Sequence, residues 1–328
     1  MKTLRERFTQ YTGNLRSWKG AYMIHNLLNW EKLVPNIRLY KKYKVRKSIF
    51  SPIGKKDFKN PHPDIPWLDQ ADALEKLIKH PDWTSFSSTE QAAMRQFVEE
   101  GFLILPGFFK ADKVDALNKD MDALLAEQKV KFNYSGRKVM DAFRHSRVAD
   151  QDFFRNQRLL HLLNFIMGKP VIPFQTINFI QGSEQRAHSD SIHMTTEPQG
   201  YLIAMWIALE DIQPGSGELF YYPGSHRLPF ISTEKYNSGN TRWRIGDNSN
   251  KKYEDKIAEV VAENQFQKQT FLAKKGDLLL WHANLLHGGS PIDDPNKTRR
   301  SMVAHYFCDE VICFHEMTQR PALLNRLT

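Results

Sequence analysis

Cysteine and long apolar runs are both scarce in this chain of 328 residues. Its two cysteines, Cys308 and Cys313, lie in no CxxC or zinc-binding spacing, which excludes a disulfide scaffold and favours a reducing compartment. No stretch approaches the ~18 uninterrupted apolar residues that a membrane-spanning helix requires. The chain begins with charged residues where a secretory signal needs an apolar run, so we expect a cytoplasmic protein.

Glycine and proline are also infrequent, with 17 and 16 residues, which excludes collagen-like and low-complexity chains. Hydrophobic residues make up 41% of the chain and charged residues 25%, so it can bury a substantial core and is not wholly disordered. At roughly 100–200 residues per domain, the length allows one large domain or two ordinary ones.

Positive charge is concentrated at the N-terminus. Residues 1–60 hold 15 Lys and Arg against three acidic residues, a net charge of +12, whereas the whole chain carries +9. Trp18, Tyr22 and Leu28 lie near helical spacing in this segment, and a basic run follows at 41–47. One interpretation is a helix packed on the main domain with a solvated basic face. Another is peripheral contact with an anionic membrane, whereas nucleic acid is not expected because no recognised binding motif is present.

The hydrophobic pattern changes near the middle of the chain. Up to about residue 167, apolar residues at spacings of three and four predict helices, and later short apolar runs between turn residues predict strands. This order indicates an α+β chain with a β-sandwich or barrel in its C-terminal two-thirds. The predicted helices cover 69–79, 89–100, 110–128 and 155–167, and the predicted strands cover 102–105, 171–180, 201–209, 218–222, 269–273, 277–281 and 299–307.

Three His-x-Asp triplets occur, and their contexts differ. His62-Pro-Asp64 and His80-Pro-Asp82 have a central proline in linker-like sequence, so we interpret both as turns. His188-Ser-Asp190 lies among the predicted strands, where residues two apart point to the same side and can bind one metal ion.

A further histidine, His287, ends an apolar predicted strand downstream. Together with His188 and Asp190 it forms the set of two histidines and one aspartate that is typical of a non-haem Fe(II) centre. His282 is the competing candidate for this third ligand. We interpret three other histidines as hydrogen-bonded structural residues, with a place at the same site as the alternative: His193, His226 and His305.

An arginine follows the candidate metal ligands. Arg299 begins a predicted strand twelve residues after His287, and a guanidinium facing into a barrel is suited to holding one end of a dicarboxylate through two hydrogen bonds. Arg300 is the alternative, because adjacent residues on a strand point to opposite faces.

These motifs occur with further segments in a fixed order: EEGFLILPG at 99–107, TINF at 176–179, WIALED at 206–211, YPGSH at 222–226 and GDLLLWHANLLHG at 276–288. The combination resembles the phytanoyl-CoA dioxygenase family of Fe(II)/2-oxoglutarate oxygenases over about residues 95–310. The resemblance implies a double-stranded β-helix, the cupin-like jelly roll, flanked by helices. It also implies Fe(II) bound by His188, Asp190 and His287.

The resemblance extends to the co-substrates, which it implies are 2-oxoglutarate and O2. The C5 carboxylate of 2-oxoglutarate is expected on Arg299, in a pocket lined by Asn178 and Trp206. Gln175 either touches 2-oxoglutarate or is an ordinary strand residue.

The expected domain organisation follows the limits of the resemblance. Residues 1–60 form a basic aromatic arm, 61–94 a linker and helix, and 95–315 the oxygenase domain. Within that domain, residues 232–268 are an insert and a candidate lid, and residues 316–328 form a C-terminal tail.

The resemblance implies hydroxylation of an unactivated C–H, with release of succinate and CO2. The substrate is either an acyl lipid, delivered at a membrane surface by the arm, or a soluble small molecule. A carboxylate at Asp190 counts against halogenation, and zinc-dependent hydrolysis would leave Arg299 without a role. The rival interpretation is an inactive β-barrel that binds a partner through its basic arm.

Overall fold

The computed structural model describes residues 17–58, 64–133 and 136–324. Its centre is a six-stranded antiparallel sheet with the strand order β1-β8-β5-β10-β3-β2, faced by a three-stranded sheet with the order β7-β6-β9. A third sheet has the order β12-β11-β4. The strands are β1 Phe102–Leu105, β2 Lys138–Met140, β3 Val171–Phe179, β4 Thr195–Glu197, β5 Leu202–Ala208, β6 Leu219–Tyr221, β7 Gln269–Phe271, β8 Leu278–His282, β9 His287–Gly289, β10 Ser301–Cys308, β11 Ile312–His315 and β12 Arg320–Pro321.

The described residues contain seven α-helices, six of which begin before residue 168. They are α1 Lys19–Leu28, α2 Asn36–Lys42, α3 Ala73–Lys79, α4 Ser88–Glu100, α5 Ala111–Ala126, α6 Gln157–Met167 and α7 Ser249–Glu263. Each of the four helices predicted before residue 168 is present, with bounds that differ by a few residues.

Local signals explain the bounds of α4. Ser87 caps its N-terminus, because its hydroxyl accepts from the backbone N–H of Glu90 and the Glu90 carboxylate accepts from the backbone N–H of Ser87. Gly101 ends the helix with a φ of 83°, a left-handed conformation that glycine adopts without a steric penalty. β1 follows at once, so this cap aligns α4 with the edge of the large sheet.

Both faces of the large sheet are covered, and this shapes the sequence of β5. Ala204, Trp206 and Ala208 belong to the core between the facing sheets, whereas Met205 and Ile207 belong to the core beneath the helices. Because both faces are buried, the strand is a continuous apolar run without polar alternation. The inner core is the barrel that holds the candidate site.

The basic segment packs against the third sheet. Its residues Leu39, Tyr40 and Ile53 form a buried cluster with Ile312 and Phe314 of β11. The described part of residues 1–60 therefore contributes to the packed structure and is not an appendage. The division at residue 60 stays a prediction, and residues 1–16 lie outside the described part.

The insert at 232–268 lies against the segment that carries His188. Tyr253 of α7 is fully buried, and its hydroxyl accepts from the backbone N–H of Ser189 at 3.0 Å. Arg186 forms an ion pair with Asp255 at 2.9 Å. These contacts fix α7 beside the candidate metal ligands, and a lid role for the insert stays a prediction.

Several short elements differ from the sequence expectations. His188 and Asp190 do not share a regular strand: His188 forms a single β-bridge with His287, and Asp190 begins the 3-10 turn Asp190–Ile192. β12 lies within the expected C-terminal tail and pairs with β11. Strands of two to four residues are too short for period-two alternation to be visible in the sequence.

The described helices of the structure agree with the expectation from the sequence that no membrane-spanning helix is present. No helix within 17–58, 64–133 and 136–324 is long and apolar enough to cross a bilayer.

We expect Leu39→Ala to lower the free energy of unfolding by about 2–5 kcal/mol, because it removes a fully buried side chain from the cluster on β11. Leu28→Ala is the matched control and should change stability by less than about 0.5 kcal/mol, since Leu28 is 77% exposed. Urea-induced unfolding followed by tryptophan fluorescence measures both. An unchanged Leu39→Ala midpoint would show that this segment lies outside the cooperative unit.

Candidate active site

Two histidines and one aspartate converge at one end of the barrel. The ligand atoms of His188, Asp190 and His287 all lie within 4.8 Å of one another, and all three residues are buried. His188 and His287 exchange two backbone hydrogen bonds of 2.9 Å, so the two imidazoles are fixed on adjacent backbone segments. The carboxylate oxygen Oδ1 of Asp190 lies 3.7 Å from Nε2 of His287.

Hydrogen bonds orient each of these side chains toward a common point. Nδ1 of His188 donates to the carbonyl of Arg186 at 2.9 Å, and Nδ1 of His287 donates to the carbonyl of Leu285 at 3.0 Å. In a neutral imidazole this makes Nε2 the nitrogen with the lone pair, the form that binds a metal ion. Trp281 Nε1 donates to Oδ2 of Asp190 at 2.7 Å and holds the carboxylate in place.

The charge states favour a divalent cation. Burial, together with the neighbouring His287, lowers the pKa of His188 well below its usual value, so this ring stays neutral. Burial alone would raise the pKa of Asp190, but His287 and His305 outweigh that effect and hold it below its ordinary value. Two imidazole nitrogens and one carboxylate oxygen are the donor set that fits non-haem Fe(II) and leaves coordination positions open.

A cavity of about 440 Å³ contains this cluster and several of the other predicted site residues. Gln175, Trp206 and Arg299 line it together with the three candidate ligands. Gln175 Nε2 lies 3.2 Å from Nδ1 of His305. The indole Nε1 of Trp206 has no hydrogen-bond partner among the described residues.

Arg299 is buried in the wall of this cavity with an unpaired donor. It is 2% exposed, and its Nε has no hydrogen-bond partner among the described residues. Its guanidinium carbon lies 5.1 Å from the centroid of Phe179 and 6.0 Å from that of Trp206. Burial lowers the pKa of Arg299 to about 10, while Glu218 and Glu210 act in the opposite direction, so it stays charged at neutral pH.

Arg300 has a different environment. Its side chain pairs with Asp122 at 2.9 Å on the outside of the barrel and does not line the cavity. Of the two arginines, only Arg299 shares the cavity with the metal-ligand cluster. A buried guanidinium whose Nε has no partner among the described residues is suited to an anionic ligand that supplies an acceptor.

Asn178 lies outside this cavity, which contradicts its expected contact with 2-oxoglutarate. On β3, Gln175, Ile177 and Phe179 line the cavity, and strand alternation turns Asn178 to the opposite face. There it is opposite Met302 of β10, a member of the core beneath the helices. The sequence match at 176–179 identified the strand and not the face.

The remaining histidines divide between two places. His282 and His226 lie away from the cluster: Nε2 of His282 is 3.1 Å from Oδ2 of Asp69, and the two rings are 5.6 Å apart. His305 and His193 line the cavity, and Nε2 of His305 is 3.4 Å from Oδ2 of Asp190. His305 therefore both lines the cavity and interacts with neighbouring side chains, so the two alternatives considered for it are not exclusive.

Three site residues were missed by sequence reasoning. Trp281 bonds the Asp190 carboxylate, Gln185 Nε2 lies 3.1 Å from Nε2 of His188, and the Lys138 ammonium donates to the Gln185 amide oxygen at 3.1 Å. Burial lowers the pKa of Lys138. Trp281 lies inside the matching segment at 276–288 and could have been considered, whereas Lys138 and Gln185 carry no sequence signal.

Comparison with known proteins assigns the chain to a family. The sequence profile of the phytanoyl-CoA dioxygenase (PhyH) family matches residues 97–301, more than half of the chain. The chain belongs to the phytanoyl-CoA dioxygenase family. Residues 1–96 and 302–328 lie outside the match.

Curated relatives of this family member are distant. It is 26% identical over 186 residues to phytanoyl-CoA dioxygenase domain-containing protein 1 of Bos taurus, which covers 40% of this chain and 64% of that protein, less than two thirds of its length. It is 27% identical over 254 residues to ectoine dioxygenase of Halomonas elongata, covering 71% of this chain and 73% of that enzyme.

Solved structures share the fold. EctD from S. alaskensis, crystallised with 2-oxoglutarate and 5-hydroxyectoine, superimposes with a TM-score of 0.52 at 21% identity and covers 68% of this chain and 76% of that one. The epimerase SnoN gives a TM-score of 0.52 at 18% identity and covers 68% and 84%. The cupin-like jelly roll expected from the sequence is confirmed.

We expect Trp281→Phe to weaken divalent metal binding by about 10- to 100-fold without unfolding the protein, because it removes the hydrogen bond that holds the Asp190 carboxylate. Trp206→Phe is the matched control, since its indole nitrogen has no partner among the described residues. Anaerobic titration with Fe(II), monitored by calorimetry, measures both affinities. Equal metal affinity in the two variants would contradict the assigned role of Trp281.

Proposed function

We propose that this protein is an Fe(II)/2-oxoglutarate-dependent dioxygenase that hydroxylates an unactivated C–H of a small-molecule or lipid-like substrate. The observation that carries the proposal is the shared cavity: the three-residue ligand cluster and the buried guanidinium of Arg299 line the same space. A metal centre beside a fixed cation is suited to a chelating dicarboxylate. Membership of the PhyH family supports the same chemistry.

His188, Asp190 and His287 would hold the iron through two Nε2 atoms and one carboxylate oxygen. When bound, iron supplies the redox chemistry that couples O2 and the oxidative decarboxylation of 2-oxoglutarate to hydroxylation, with succinate and CO2 as co-products. The backbone bridge between His188 and His287 and the hydrogen bond from Trp281 to Asp190 hold the three metal-binding side chains in fixed positions relative to one another. The protein therefore contributes position and not reactivity.

Arg299 binds the distal carboxylate of 2-oxoglutarate in this proposal. Its guanidinium is buried near the rings of Phe179 and Trp206, where a charge-assisted hydrogen bond is stronger than in solvent. Trp206 contributes an apolar wall and an unpaired indole N–H. Gln175 lines the same cavity, and its Nε2 lies 3.2 Å from Nδ1 of His305.

We expect Arg299→Lys to weaken 2-oxoglutarate binding by roughly 10- to 100-fold, because an ammonium cannot reproduce the two-pronged contact of a guanidinium. Arg300→Lys is the matched control and should leave the affinity unchanged, since Arg300 pairs with Asp122 outside the barrel. Calorimetric titration of the Fe(II)-loaded protein with 2-oxoglutarate under nitrogen provides the dissociation constants. Unchanged affinity in Arg299→Lys would refute the assignment of this arginine.

The second part of the proposal concerns where the substrate comes from. We propose that the segment from Trp18 to Arg46 docks on an anionic lipid bilayer. What supports this is an unusual set of exposed apolar side chains in and around α1 and α2, which are Trp18, Ile24, Leu27, Leu28, Trp30, Val34 and Ile37. Their exposure ranges from 39% for Val34 to 77% for Leu28. Neighbouring apolar side chains left in water favour an interface that covers them.

Charge in the same segment selects the kind of interface. Lys41, Lys42, Lys44 and Arg46 are exposed directly after the apolar residues, and none of them forms an ion pair within the described part of the chain. Tryptophan and aliphatic side chains beside unpaired lysines suit the boundary between lipid headgroups and acyl chains. An acyl lipid is therefore the favoured substrate class.

We expect binding to vesicles that contain phosphatidylserine to be weakened at least about tenfold by Leu28→Glu, because the change removes apolar contact and adds repulsion. Leu272→Glu is the matched control, an exposed leucine at 50% on another part of the surface. Co-sedimentation with phosphatidylcholine vesicles, with and without phosphatidylserine and at two salt concentrations, measures the effect. If the unmodified protein shows no salt-sensitive binding to the vesicles with phosphatidylserine, the docking proposal is refuted and a soluble substrate is favoured.

A further inference from the structure

A second cavity, of about 540 Å³, adjoins the candidate active site. The two cavities share part of their lining, because Gln175, His193 and Met194 border both. The ring of His193 lies 5.9 Å from that of the candidate ligand His188. A ligand in the second cavity therefore lies against side chains that also border the cavity of the metal-ligand cluster.

Unpaired cations lie along this second cavity. Lys32 and Arg320 line it, and neither forms an ion pair within the described part of the chain. Arg320 makes only a longer contact to the ring of Tyr22, at 5.6 Å from its centroid. Asp141 is the acidic residue of the lining, and it is 3.4 Å from Arg144. The cavity thus carries an excess of positive charge that a bound anion would balance.

Apolar side chains form another part of the lining, beside polar ones such as Asn29 and His315, and they point to a ligand with two unlike ends. Phe174, Phe307 and Phe314 line the cavity together with the thioether of Met194. Phe174 and Phe307 pack on each other with ring centroids 4.9 Å apart. An inorganic anion alone would leave this apolar surface without a contact, whereas an apolar chain would cover it.

Most of this lining comes from parts of the chain that the family profile does not cover. Lys32 lies in the N-terminal segment, and Phe307, Phe314 and Arg320 follow residue 301, where the family match ends. The segment between α1 and α2 supplies one wall and the third sheet another. The larger part of the cavity lining thus lies outside the family match.

We propose that this second cavity binds the substrate as an amphipathic anion, a carboxylate or phosphate attached to an apolar chain. Lys32 and Arg320 hold the anionic group, and the chain runs past Phe174 and Met194 toward Gln175 and His193. The inference rests on the proposed function, because it takes the ligand to be the molecule that is hydroxylated. Binding of the anionic group at Lys32 and Arg320 would determine which carbon atom of the apolar chain lies nearest to the metal-ligand cluster.

Binding of short soluble probes tests this inference on the full-length protein. Octyl phosphate and octanoate are titrated calorimetrically, beside octanol, butyl phosphate and inorganic phosphate. We expect the two octyl anions to bind at least about tenfold more tightly than butyl phosphate, because each buried CH2 contributes ~0.8 kcal/mol, about fourfold. Octanol and inorganic phosphate should bind more weakly still, since each lacks one half of the ligand.

Charge-removing variants locate the site. Lys32→Gln and Arg320→Gln should each weaken binding of octyl phosphate severalfold, and the double variant at least about tenfold. Lys119→Gln combined with Lys235→Gln is the matched control, because these two exposed cations line neither cavity and lie outside the proposed docking segment. The control should bind like the unmodified protein. Thermal unfolding of all variants checks that the fold is retained.

The outcomes separate this inference from the proposed function. Loss of octyl phosphate binding in the double variant, with unchanged 2-oxoglutarate affinity, supports the second cavity as the site of the anionic end. Equal binding by the double variant and the control, or tighter binding of octanol than of octyl phosphate, would overturn it. Neither result bears on 2-oxoglutarate binding, which Arg299→Lys tests separately.

Discussion

The paired backbone hydrogen bonds between His188 and His287 are the constraint on which the candidate site depends. These bonds connect the segment after β3, which carries His188, to strand β9, which begins at His287. They fix the two imidazoles side by side, with ring centroids 4.5 Å apart. Asp190 then needs only a short turn to bring its carboxylate to the same point. The fold thus creates the donor set through its own backbone pairing, before any metal is bound.

The inner face of the barrel completes the site. Trp281 on β8 donates a hydrogen bond to the Asp190 carboxylate, and Arg299 lies two residues before β10 with its guanidinium near the rings of Phe179 and Trp206. These residues are far apart in sequence and meet because β8, β5, β10 and β3 are neighbours in one sheet. A buried cation with an unpaired donor has a free-energy cost unless a ligand supplies an acceptor, so Arg299 points to an anionic ligand.

The sequence predicted most of the fold, because its larger elements have clear signals. Apolar spacing identified the helices before residue 168, and runs such as 201–209 identified the central strands. The barrel residues His188, Asp190 and His287 were recognised from motif order. The face of Asn178 was mistaken, since a strand motif does not say which side points inward, and a β-bulge near His305 interrupts the simple count along the neighbouring strand.

Other features could not be read from the sequence because they depend on tertiary packing. Lys138 and Gln185 reach the site from β2 and the segment after β3, with no motif of their own. The second cavity is lined by residues of the N-terminal segment, β11 and β12, which lie outside the family match, together with residues of β3 at the side of the barrel. In the proposal for the second cavity, substrate specificity therefore depends on parts of the chain that lie outside the family match.

The most direct test of the central claim is anaerobic addition of Fe(II) and then 2-oxoglutarate to the purified protein, followed by visible absorption. His287→Ala is measured beside the unmodified protein. The account predicts a weak visible band that requires both Fe(II) and 2-oxoglutarate and that is lost in the variant. A folded protein that shows no band, or a band that persists in His287→Ala, would contradict the placement of metal and co-substrate in this cavity.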